Sequence, residues 1–263
     1  MTEYANAVPG TFCWVELATT DPASARKFYS SVFGWSLSEM PMPGGDSYGV
    51  AQIAPGKNVG GITRLPEEAK QMGATPNWLS YVAVENAAAA AKQVASLGGR
   101  VVKGPLETPP GNMVIVADPT GGVFALWQEH QSMGTFVYQE QNASCWNELM
   151  TSDVDRAGKF YGTLFGWKAE ATQMPHMTYT TFKKGDRTTA GMMPQPAEMT
   201  GGRSGWTVYF AVSDADATAK KIASLGGREL VALRDFPNVG RLGYFADREG
   251  APFAILNAIP PAK

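Results

Sequence analysis

A block near the start of the chain is written again 132 residues later: Cys13-Trp14-Val15-Glu16-Leu17 returns as Cys145-Trp146-Asn147-Glu148-Leu149. Phe28-Tyr29 and Phe33-Gly34-Trp35 return as Phe160-Tyr161 and Phe165-Gly166-Trp167. Ala95-Ser96-Leu97-Gly98-Gly99-Arg100 returns as Ala223-Ser224-Leu225-Gly226-Gly227-Arg228. So long a period excludes a solenoid and points to duplication of a whole domain. The expectation is two modules, residues 8–129 and 142–259, joined by a linker over 130–141, each burying its own core. Apolar content of 44% suffices for two cores.

Within one copy, hydrophobic period and punctuation define the elements. Phe12 to Thr19 alternates as a two-faced strand. Asp21-Pro22 caps a helix whose apolar stripe is Ala25, Phe28, Tyr29, Val32 and Phe33, and Gly34 ends it. Three strands follow. The pattern restarts with a strand at Trp78–Val84, a helix capped by Asn86, and three further strands, the last two joined through Asp118-Pro119-Thr120-Gly121. Asp153 and Asp214 cap the matching helices of the second copy, and Asp247-Arg248-Glu249-Gly250 is its last hairpin turn. The class is α+β, four βαβββ units in two pairs.

Net charge is −2 with both signs interspersed, which argues against a nucleic-acid partner. No apolar run spans a bilayer and no secretory leader is visible, so a cytoplasmic protein is expected. Cys13 and Cys145 are read as free thiols.

The ordered set Leu17, Asp21, Phe28-Tyr29, Phe33-Gly34, Leu97-Gly98-Gly99 and Asp118-Pro119-x-Gly121, present twice, resembles the vicinal oxygen chelate superfamily of glyoxalases, extradiol dioxygenases and bleomycin-resistance proteins. The tandem Trp-x-Glu-Leu and Phe-Gly-Trp motifs resemble its two-domain actinobacterial glyoxalase-like members, a group that includes a mycobacterial antigen and chains named "hydroxylase". The resemblance implies two domains, each an open curved sheet around a cavity, in a monomer that mimics a dimer. In catalytic members a divalent metal sits there, held by residues of the first and last strand of each unit.

Counted from these motifs, the ligand positions fall on Trp14, Gly61, Leu79 and Ala125, and on Trp146, Gly191, Thr207 and Ala254. None is a histidine or carboxylate, so neither a metal nor any other cofactor is expected. His130 and His176 form no ligand pair. His176, in a loop able to reach a cavity mouth, is the better binding candidate.

Strand parity places Trp14 with Glu16, and Trp146 with Glu148, on the face that the resemblance assigns to the cavity. Glu16 and Glu148 are the candidate acid–base groups, because an inward carboxyl without a metal is desolvated and keeps its proton longer. Trp14, Trp146, Trp78, Trp206, Trp127 and Tyr209 are the candidate binding residues. The bland reading of the indoles is core filling, and that of the carboxylates is a solvated strand face. Arg64 and Arg241 are weaker candidates for pairing with an anion. The expected function is binding of a small apolar or aromatic molecule. The alternatives are lyase, isomerase or dioxygenase chemistry, metal-free through Glu16 or Glu148 or at a non-standard metal site, and an interaction-only scaffold.

Overall fold

The computed structural model describes residues 2–4, 8–42, 46–132, 134–174, 177–195 and 204–259. The first copy opens with strand β2 (Phe12–Thr19), helix α1 (Pro22–Phe33) and strands β3 (Ser36–Pro41), β4 (Ser47–Ala54) and β5 (Lys57–Arg64). After the short helix α2 (Glu67–Gln71) come β6 (Asn77–Ala83), α3 (Ala87–Ser96), β7 (Arg100–Thr108), β8 (Gly111–Ala117) and β9 (Val123–Glu129). The second copy repeats this as β11 (Ser144–Thr151), α4 (Val154–Phe165), β12 (Lys168–Gln173), β13 (Thr178–Lys184), β14 (Arg187–Pro194), β15 (Gly205–Ala211), α5 (Ala215–Ser224), β16 (Arg228–Phe236), β17 (Gly240–Ala246) and β18 (Pro252–Ala258).

Helix boundaries follow local chemistry. Asp21 Oδ1 accepts the Ser24 amide at 3.0 Å, and Gly34 closes α1 at φ +74°, a conformation that glycine adopts without a Cβ penalty. Asp153 and Gly166 do the same for α4. Asn86 and Asp214 cap α3 and α5.

Each copy forms one open sheet. In the second the order is β12-β13-β14-β11-β15-β18-β17-β16, with the two units meeting at the antiparallel pair β11–β15. The first has the same order, centred on β2–β6, plus two additions. Strand β10 (Thr135–Tyr138) pairs in parallel with β5, and β1 (Thr2–Tyr4) pairs with β10. Part of the expected linker is therefore sheet, because Thr135 to Tyr138 extends beside the free N-terminal half of β5.

The expectation of two separate cores is corrected. The helix-bearing faces of the domains pack on each other. One shared core joins Val15, Leu17, Phe28, Tyr29 and Phe33 of the first copy to Val208, Phe210, Ile222, Phe245 and Phe253 of the second. Its counterpart joins Val82, Val94, Val114 and Phe124 to Leu149, Phe160, Tyr161 and Phe182. Each domain covers only one side of its sheet with two short helices, so the remaining apolar surface is buried between domains.

Hydrogen bonds across this contact are reciprocal. Tyr29 donates to Asp247 Oδ2 at 3.0 Å, and Tyr161 donates to Asp118 Oδ2 at 2.7 Å. Within each copy these phenols are steadied in turn, Tyr29 by the Trp78 Nε1 donor and Tyr161 by the Trp206 Nε1 donor, at 3.0 and 2.9 Å. Trp35 and Trp167 donate to the carbonyls of Asn142 and Gly10, each just ahead of the other copy's first strand. The Phe-Tyr, Phe-Gly-Trp and hairpin-Asp motifs thus hold the two copies together. No helix of the described residues is long and apolar enough to cross a membrane.

Candidate functional site on the concave faces

With Val15 and Leu17 of β2 turned toward the helices, Trp14 and Glu16 stand on the opposite face, the one that the family resemblance makes concave. Trp14 lies opposite Tyr81 of β6, and Glu16 lies between Gly61 of β5 and Leu79 of β6. Tyr81 pairs with Ala125 of β9. The four positions counted from the motifs therefore surround one point. In the second domain Trp146 lies opposite Tyr209, Glu148 between Gly191 and Thr207, and Tyr209 beside Ala254.

Aromatic side chains fill the space around that point. Trp14 Nε1 donates to the Tyr48 hydroxyl at 2.9 Å, and Trp146 Nε1 to that of Tyr179 at 3.1 Å. Both phenols lie over a glycine. A Cβ at Gly61 would overlap the Tyr48 hydroxyl, and one at Gly191 would overlap that of Tyr179. A carboxylate ligand from β5 or β14 is sterically incompatible with this Trp–Tyr pair. Among the described residues no three His, Cys, Asp or Glu side chains come together. The residues present do not fit the metal that the superfamily's catalytic members hold.

The carboxyls sit among phenols. Burial raises the pKa of Glu16, while hydrogen bonds from Tyr48 and Tyr81 oppose the rise. Burial likewise raises that of Glu148, opposed by Tyr209, Tyr244 and Tyr179. The Tyr244 hydroxyl is hydrogen-bonded to Glu148 Oε2 at 2.8 Å, and the Tyr209 hydroxyl is hydrogen-bonded to the same oxygen. Burial together with the carboxyl's charge pushes all these phenols above their ordinary value. A carboxyl among phenols is chemically able to exchange hydrogen bonds with a polar atom, and an indole offers a flat apolar face.

The two faces differ in access. In the first domain Phe136 of β10 packs on Trp14, ring centroids 5.6 Å apart, and joins Cys13, Val50, Leu79 and Tyr81 in a buried cluster. Trp14 is 7% exposed. In the second domain Trp146, Cys145, Thr207 and Ala211, which match Trp14, Cys13, Leu79 and Ala83, are half-buried rather than buried. Cys13 is buried, and burial pushes the Cys145 thiol up to about 12, so neither is an activated nucleophile.

Of the expected site residues, the structure brings Trp14 and Glu16 together, with Trp127 in the same cluster, 6.3 Å from Tyr81 between ring centroids. It brings Trp146, Glu148 and Tyr209 together in the second domain. It places Trp78 and Trp206 elsewhere. Their parity turns them to the helix-facing side, where they donate to Tyr29 and Tyr161. His130 is exposed beyond β9, and His176 lies outside the described residues. Arg64 pairs with Asp46, and Arg241 with Asp216 and Asp235, all at the exterior. Sequence reasoning missed Tyr48, Tyr179, Tyr81 and Tyr244. The first three carried a signal, because Tyr48 and Tyr179 occupy matching strand positions and Tyr81 matches Tyr209.

Comparison with known proteins agrees with this architecture. Residues 11–126 match the family model "Glyoxalase/Bleomycin resistance protein/Dioxygenase superfamily", and residues 146–256 match "Glyoxalase-like domain". The chain belongs to the glyoxalase/bleomycin resistance/dioxygenase superfamily. It is 37% identical over 254 residues to "Putative glyoxylase CFP32" of Mycobacterium tuberculosis, covering 95% of this chain and 96% of that protein. It is 31% identical over 268 residues to "Anthracycline biosynthesis protein DnrV" of Streptomyces peucetius, covering 97% and 95%. Among solved structures, the Mn(II)-bound glyoxalase from Novosphingobium aromaticivorans superposes with a TM-score of 0.61 at 15% identity, covering 97% of this chain and 85% of that one. The 2,3-dioxygenase LapB from Pseudomonas sp. KL28 superposes with a TM-score of 0.63 at 13% identity, covering 98% and 97%. At that identity these two structures speak for the fold alone.

Proposed function

We propose that this superfamily member binds a small, largely apolar or aromatic molecule on a concave face, as a cytoplasmic monomer that sequesters or detoxifies its ligand. The observation that carries the reading is the repeated Trp–Tyr–Glu constellation at the motif-defined ligand positions. Trp146 offers a flat platform, its counterpart Trp14 being covered by Phe136, and Glu16 and Glu148 with their phenols offer the polar anchor. The name of the Streptomyces relative ties that protein to anthracyclines, which are planar aromatic compounds, and an indole platform suits that ligand class. Titration with a broad panel of planar aromatics, followed by tryptophan fluorescence, tests it. Saturable quenching by some members is expected, and no response from any member contradicts it.

A second reading, metal-free lyase or isomerase chemistry, is favoured by the raised pKa of Glu16 and Glu148 beside phenols. It requires turnover of a glyoxalase-type substrate that is lost in Glu16→Gln or Glu148→Gln.

A further inference from the structure

The Glu148 cluster has more short contacts than an ionised carboxylate can supply with hydrogens. Glu148 Oε2, the Tyr209 hydroxyl and the Tyr244 hydroxyl are each hydrogen-bonded to the other two. Three contacts among three oxygens need three hydrogens. The two phenols provide two. Were Glu148 ionised, both phenols would donate to it and face each other lone pair to lone pair at 2.5 Å. A carboxylic acid provides the third hydrogen, and the donors then run one way around the ring. Tyr179 bonds to the same carboxyl and takes the Trp146 indole hydrogen, which fixes the ring against the platform.

The first domain cannot build this ring. Ile115 of β8 and Tyr244 of β17 occupy matching positions, since Ile115 pairs with Ala125 and Tyr244 with Ala254. The Tyr81 hydroxyl meets the Met113 sulfur at 3.0 Å instead of a second phenol.

We infer that Glu148 is held as a neutral acid in a closed ring with Tyr209 and Tyr244, and that this ring selects uncharged planar molecules bearing a hydroxyl or carbonyl group over their carboxylate counterparts. The inference rests on the concave-face reading above and adds the ligand's charge state and the residue that sets it. In a one-way ring each phenol oxygen keeps a lone pair for a ligand hydroxyl, and turning one hydrogen outward serves a ligand carbonyl. A ligand carboxylate would be desolvated beside a carboxyl and three phenols, with no cation among those groups to offset the cost. Burial of Glu148 acts in the same direction.

The test is calorimetric titration with 2-naphthol, 2-naphthoate and naphthalene, alongside infrared difference spectra of wild type minus Glu148→Gln. We expect 2-naphthol to bind at least about tenfold more tightly than 2-naphthoate, the scale of one hydrogen bond. Tyr244→Phe should erase most of that preference. The difference spectrum at neutral pH should show a protonated-acid carbonyl band. Equal or tighter binding of 2-naphthoate, or a carboxylate band in the difference spectrum, overturns the inference while leaving small-molecule binding in place. Silence from all three compounds, naphthalene included, instead removes the concave-face reading. The infrared band then still decides whether the ring is neutral.

Discussion

The helix-bearing faces of the two domains are near-copies, whereas the concave faces have drifted apart. On the helix side the main aromatic contacts have twins: Asp118–Tyr161–Trp206 answers Asp247–Tyr29–Trp78, and Trp167 answers Trp35. On the concave side Trp127 and Leu256, Ile115 and Tyr244, and Leu79 and Thr207 hold matching places with different chemistry. A shared core allows little change, because each side chain packs against the other copy and a misfit disturbs both. A concave face meets solvent or ligand and is free to specialise. The repeated motifs therefore report on the interface between copies, and the differences between copies report on the site.

The comparison breaks first, and most heavily, at the shared core. Phe253→Ala should cost about 3–5 kcal/mol and destabilise both domains together, so that denaturant unfolding stays a single transition. Early unfolding of the second domain alone would show that the cores are separable. Tyr161→Phe is smaller. It leaves the buried Asp118 Oδ2 without its donor and should cost about 1–3 kcal/mol, with Tyr29→Phe close behind, read as matched falls in melting temperature. Unequal losses would mean that the twofold match is only geometric.

Weaker effects belong to the concave faces. Gly191→Ala must push the Tyr179 phenol off its glycine and break the Trp146–Tyr179 bond, with a cost of about 1–3 kcal/mol expected from thermal melts. The pH response is subtler. Because the folded pKa of Glu148 is raised above its unfolded value, its neutral form stabilises the fold fully below the unfolded pKa, and that contribution is lost as pH rises through the folded one. Glu148→Gln carries no such penalty. Its melting temperature relative to wild type should therefore climb from acid to mildly alkaline pH, and a flat difference would show that burial does not govern this carboxyl.

The fold was largely legible from the sequence. Caps at Asp21, Asn86, Asp153 and Asp214 and the glycine stops set the helices, and alternation set the central strands. What escaped was non-local. Nothing in the run Thr135–Tyr138 says that it will pair with β5, because its strand character depends on a free edge 78 residues back. Trp78 and Trp206 look like platform residues until the register turns them inward. The site was half legible. Repetition exposed Trp14, Trp146, Glu16 and Glu148, but Tyr244 has Ile115 as its counterpart, so a search for repeated residues passes over the side chain that completes the ring.

Seven tryptophans make the central claim directly measurable. In a spectrum of indole-labelled protein titrated with 2-naphthol, the account predicts movement of the concave-face signals, Trp146 foremost, while Trp35, Trp78, Trp167 and Trp206 stay still in the shared cores. Movement confined to those four, with Trp14 and Trp146 unmoved, would place the ligand between the domains and contradict it.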